Sequence, residues 1–128
     1  MPNVHRGPVV TAVKAEKATR SLRVTFADGT EFQLPWEYLR VHSPSAEVQG
    51  HGNPKIVAHK KEVAISAIEP VGNYAIKITF DDGHDSGIYS WQWLYMLGRD
   101  HDKLWADYVE RLHAARLTRE PRLDFKMM

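Results

Sequence analysis

The feature that most constrains this chain is a repeat. "VTFADGTEFQLPWEYL" (24–39) and "ITFDDGHDSGIYSWQWL" (78–94) follow one pattern. Val24-Thr25-Phe26 matches Ile78-Thr79-Phe80, and Asp28-Gly29 matches Asp82-Gly83. Trp36, Tyr38 and Leu39 match Trp91, Trp93 and Leu94 after one inserted residue, which a β-bulge at Gly87 would absorb. In each copy an alternating run meets Asp-Gly, two residues that tolerate the positive φ of a tight turn. A return run then leads into helically spaced aromatic residues. The pattern predicts an α+β fold: a single domain in which two similar β-hairpin–helix units share an antiparallel sheet, with helices over one face.

The flanking segments fit that frame. "VVTAVKA" (9–15) has the β-branched content of a short strand, and Val63, Ile65 and Ala67 give "EVAISAIEP" (62–70) one apolar face. Helical spacing over 90–98 predicts a helix that stops at Gly98. Asp100 is placed to cap a second, amphipathic one carrying Leu104, Trp105, Tyr108, Leu112 and Ala115 on one face. At 128 residues the chain has the size of one domain. It divides into a loose leader (1–8), a folded domain (9–117) and a flexible tail (118–128).

Composition excludes several classes. With 17 Lys and Arg against 16 Asp and Glu, the charge gives no footprint for nucleic acid or an acidic membrane surface. The absence of cysteine removes disulfides, thiolate catalysis and cysteine-based zinc or iron–sulfur sites. The first twenty residues show no apolar signal-peptide core, and no run is long enough for a membrane helix. The expected location is cytoplasmic.

His84, Asp85 and Ser86 stand in a row and invite a catalytic reading. On a return strand His84 and Ser86 face one side and Asp85 the other, so the three cannot form a triad, in which the base sits between nucleophile and acid. No Gly-x-Ser-x-Gly elbow and no phosphate-cradling loop is present. The chain is therefore read as a non-enzyme. The helical aromatics are expected mainly in the core, with one of Trp91 and Trp93 left partly outside. The stretch "HSPSAEVQGHGNPK" (42–55) is a surface loop of unusual length for so small a domain, and such loops are often functional.

"LRVHSPSAEVQGHG" and "IEPVGNYAIKITFDDGHDSGIYSW" resemble a known family, the small bacterial DUF971 domain, which is similar to the N-terminal domain of γ-butyrobetaine hydroxylase. The resemblance spans about 9–117. In the hydroxylases it implies a zinc module of three cysteines and one histidine. Carried onto this chain, the cysteine positions fall on Ser43, Ser45 and Val48, and the histidine on His84. Two hydroxyls and a valine cannot replace thiolates as zinc ligands. The hydroxylase chemistry belongs to another domain, so the resemblance implies the fold without the activity.

Two functional expectations follow. The first is a binding or accessory domain, linked through the family's occurrence beside iron–sulfur-carrying P-loop ATPases to cluster assembly or another metal-dependent pathway. Its protein partner would meet a surface including Ser43, Ser45, Val48, His51, Asp85 and Trp91. The second is a metal-binding protein with His84 as first ligand and His42, His51 or Glu47 as helpers, a donor set suited to zinc, nickel or iron.

Overall fold

The computed structural model describes residues 7–50 and 52–122. Most of the leader and the end of the tail lie outside the described residues. In chain order the elements are β1 (Val10–Glu16), β2 (Ser21–Phe26), β3 (Glu31–Pro35), α1 (Trp36–Val41) and α2 (Ala46–Gln49). There follow β4 (Ile65–Val71), β5 (Ala75–Phe80), β6 (Ile88–Ser90), α3 (Trp91–Arg99) and α4 (His101–Ala114).

The repeat is real, and each copy is larger than its sequence signal. Each unit has three antiparallel strands, ordered β1-β2-β3 and β4-β5-β6. The strands thus hydrogen-bond as two small sheets rather than across one. The first strands show the same burial pattern, as do β2 and β5. Even the irregularities agree, because the register slips between Val10 and Ala12 and again between Ile65 and Ala67. That slip leaves Ala67 exposed while Val63 is buried in the core. The expected alternation over 62–70 therefore breaks at the bulge.

The two Asp-Gly turns close with matching bonds. The amide of Phe26 donates to the Thr30 carbonyl (2.8 Å) and that of Phe80 to the His84 carbonyl (2.9 Å). Gly29 and Gly83 both stand at φ 91°, where any side chain would be strained. Asp28 accepts from the Thr30 amide and Asp82 from the His84 amide, at 2.9 and 3.1 Å. His84 thus occupies the place in its unit that Thr30 occupies in the first.

Both units feed one core. Leu22, Val24 and Phe26 meet Ile76, Ile78 and Phe80, with Leu39 and Leu97 from the helices. Two tyrosine hydroxyls tie the units together inside it: Tyr38 donates to the Leu97 carbonyl (2.6 Å) and Tyr89 to the Leu39 carbonyl (2.7 Å). Each bond supplies about 1 kcal/mol and keeps a buried hydroxyl satisfied. Burial raises the Tyr38 and Tyr89 hydroxyls far above the ordinary tyrosine value.

Two local expectations change. Gly98 lies inside α3 rather than ending it, because a Cβ there would sit 2.2 Å from the Phe32 ring. Asp100 does not cap α4 with its side chain, and its carboxylate instead pairs with Arg99 at 3.0 Å. The Ser90 hydroxyl does cap α3, accepting from the Trp93 amide at 3.1 Å. Replacing Gly98 by Ala would push Phe32 out of contact with α3. We expect a loss of about 1–3 kcal/mol, read from the urea midpoint, whereas Gly at an ordinary helix position would gain from the change.

Candidate functional site

The irregular segment after α1 meets the turn after β5. Ser43 Oγ lies 2.8 Å from His84 Nε2, and Ser45 Oγ lies 3.4 Å from the same nitrogen. The Ser45 amide donates to Ser43 Oγ at 3.2 Å, a local serine turn that sets both hydroxyls toward the imidazole. Ser43, Ser45 and His84 are all buried, Ser43 completely. On the outer side of the imidazole, Glu47 Oε1 lies 3.9 Å from Nδ1 and also accepts from the Ser86 hydroxyl. A carboxylate beside Nδ1 favours the tautomer with its proton there, leaving Nε2 to accept from Ser43.

Electrostatics support a neutral ring. Burial pushes the His84 pKa down, and the Arg40 guanidinium adds to the effect, with Glu47, Asp82 and Asp85 partly opposing it. Burial also works to raise the Asp82 carboxyl, but hydrogen bonds from Lys60, the His84 amide and Arg40 outweigh it and hold it at about 2. The bridge among Arg40, Asp82 and Lys60 fixes the turn that carries His84. Glu47 is lowered chiefly by the Ser86 hydroxyl.

Ser43, His84 and Glu47 thus line up as a hydroxyl, an imidazole and a carboxylate. The order resembles a triad, but the hydroxyl is fully buried. Gly87 walls it in so closely that a Cβ there would lie 2.5 Å from Oγ. No carbonyl carbon can approach that oxygen in this geometry. The consecutive run splits, but not by strand alternation: 84–86 precede β6, His84 turns inward, and Asp85 and Ser86 are both exposed, with Ser86 donating to Glu47.

The positions that the resemblance assigns to zinc ligands do include three that converge, Ser43, Ser45 and His84, while Val48 is buried as an apolar residue. These groups do not fit a cysteine-type zinc. The hydroxyls already bond the imidazole, and among the described residues no group of three His, Cys, Asp or Glu could hold a metal ion. His42 is not brought to His84. Its Nδ1 donates to the Tyr38 carbonyl at 3.0 Å, and its ring packs against Tyr38 and Tyr108. His51 lies outside the described residues. Of the expected partner surface, Ser43, Ser45 and Val48 are buried and support the loop from within, whereas Asp85 is exposed and Trp91 half-buried.

A feature that sequence reasoning missed is a cleft of ≈ 380 Å³ between this loop and the helices. Apolar Val41, Val48, Trp93 and Leu97 line it, with His42, Lys55 and Arg111 among its polar groups. Three bonds hold the loop as its wall: Trp93 Nε1 donates to the His42 carbonyl, Gln49 to the Ser43 carbonyl and Arg111 to the Pro54 carbonyl. The signal in the sequence was the length of the loop and the aromatic pair. Their meeting depends on long-range packing.

Ser43→Ala strips His84 Nε2 and the Ser45 amide of a partner, and should cost about 1–3 kcal/mol in urea unfolding at pH 7.5. Burial is the leading cause that lowers both His42 and His84 below the ordinary 6.5. The unfolded chain therefore takes up protons first, so stability is full above pH 6.5 and falls as the pH drops through that value toward the folded pKa values. Unfolding midpoints between pH 8 and 5 check this, and the slope should be shallower in His84→Gln.

Comparisons with known proteins agree with the geometry. Two solution NMR structures resemble this one, at 51% identity with TM-score 0.81 and at 44% identity with TM-score 0.78. They cover 100% and 94% of this chain, and each is itself 97% covered. A crystal structure from Acidithiobacillus ferrooxidans, described as a protein of unknown function in the DUF971 family, is 34% identical with TM-score 0.60. It covers 70% of this chain, and 91% of its own length is covered. No curated protein matches. The family described as gamma-butyrobetaine hydroxylase-like, N-terminal, matches residues 13–95, and this chain belongs to it.

Proposed function

We propose that the chain is a small binding domain without chemistry of its own, acting in the cytoplasm as an accessory to iron–sulfur assembly or another metal-dependent pathway. The observation that carries the reading is the loop 42–55, which is braced from inside and walls an apolar cleft. Preformed concave sites with apolar linings and a few polar groups are where binding partners dock. Ser43, Ser45 and His84 are spent on each other, so they hold the loop's shape and leave Glu47, Lys55 and the cleft to meet a partner. The link to metal pathways rests on the family resemblance.

A metal-binding role is the second reading, favoured by the 3.9 Å approach of Glu47 to His84 Nδ1. It needs further donors, and with His42 held on the Tyr38 carbonyl, His51 is the other histidine that the loop sequence offers.

Two measurements test the pair. Cross-linking in extracts of the producing cells should join the wild-type chain to a metal-pathway protein, and a Gly/Ser replacement of 46–55 should abolish that link. Unchanged partners would contradict the binding surface. Elemental analysis of untagged protein, purified without chelators, should find no stoichiometric metal. One metal per chain, lost in His84→Ala, would establish the second reading instead.

A further inference from the structure

The segment after α4, expected as a tail from Thr118 onward, places its first residues over a second site. Arg119 forms a two-pronged pair with Glu37, Nε to Oε2 at 2.9 Å and Nη2 to Oε1 at 2.7 Å. The same guanidinium lies 5.0 Å from the centroid of the Trp105 ring. The Glu37 side chain is only 8% exposed, at the start of α1, whereas that of Arg119 is 37% exposed. Around this pair the chain is held by backbone bonds from the His59 amide to the Thr118 carbonyl and from the Lys61 amide to the Arg119 carbonyl, both 3.0 Å. Lys61 then pairs with Glu120 at 3.0 Å.

A nearly buried carboxylate with an aromatic face beside it is costly to maintain, and apolar residues of similar size would hold a core as well. What the combination does well is recognise one chemical group. A planar guanidinium takes both carboxylate oxygens and stacks on the ring, and an ammonium can do neither as fully. The neighbouring Lys61 selects an acidic residue next in the sequence. The backbone bonds from 59 and 61, with Thr118 Oγ1 accepting from the Glu120 amide, select a bent main chain.

The geometry points to a peptide-recognition site formed by Glu37, Trp105, Lys61 and the 59–61 backbone. Its ligand is a bent protein segment carrying arginine followed by an acidic residue, and Thr118-Arg119-Glu120 occupies it in cis. The site adjoins the His84 turn through Lys60, which pairs with Asp82 at 2.6 Å, but uses none of the residues of the cleft and stands whether or not the 42–55 loop binds a partner. A partner with such a segment competes with the chain's own strap, so the strap sets a threshold for binding.

The probe is acetyl-Thr-Arg-Glu-amide, titrated into 15N-labelled protein while the Trp105 indole resonance is followed. Arg119→Ala and Arg119→Gln empty the guanidinium subsite at Glu37 and Trp105 without touching its walls. Both variants should keep the native spectrum and bind the peptide saturably, at least tenfold more tightly than wild type. Acetyl-Thr-Lys-Glu-amide should bind at least tenfold more weakly, and Glu37→Gln added to either variant should abolish the shift. Three results would overturn the proposal. One is no saturable shift at Trp105 in the emptied variants, and another is equal binding of the lysine peptide. The third is failure of both variants to fold, which would make the segment part of the core rather than an occupant.

Discussion

A hydroxyl and an imidazole, 2.8 Å apart and shut away from water, join the two halves of the functional region. Ser43 follows the first helix, and His84 sits in the tight turn of the second unit. Everything beyond them depends on that contact: the serine turn to Ser45, the short α2, Glu47 over the imidazole, and the loop wall that makes the cleft. The brace is modest. A neutral hydrogen bond contributes about 1 kcal/mol, whereas a structural zinc contributes about ten times as much or more. A loop held this way opens at low cost without unfolding the domain, which suits the partner-binding role proposed for it.

The repeated architecture explains why the histidine is where it is. His84 corresponds to Thr30, and each residue accepts the same turn-closing bond and donates to the same turn aspartate. The first unit uses that position near the protein surface. The second uses it as a buried contact with the loop that follows α1. One scaffold thus carries a bland turn in one copy and the central side chain of the site in the other. Tyr38 and Tyr89 lock the copies together across the core, so the loop is supported by both.

Much of this was legible in the sequence because it is local. Asp-Gly turns, alternating strands and the Trp-rich helix starts identify the two units without any long-range information. The first strand of each unit was weaker, since a register slip turns its alternation into a pattern with two exposed residues between each pair of inward ones. Gly98 reads as a helix stop until Phe32, from the other unit, is seen to need its missing side chain. The meeting of Ser43 with His84 spans 41 positions and was foreseen only through the family resemblance. That of Glu37 with Arg119 spans 82, within a segment whose mixed composition reads as tail, and nothing local announces it.

Hydrogen bonds between the Ser43 and Ser45 hydroxyls and the His84 imidazole hold the loop in place. The ring nitrogens of His84 report on this directly in a long-range 15N–1H spectrum at pH 7.5. We expect a protonated Nδ1 and an unprotonated Nε2 shifted by the Ser43 hydrogen bond, with neither signal changed by chelator or by added zinc. A metal-coordinated nitrogen that reverts when chelator is added would contradict it.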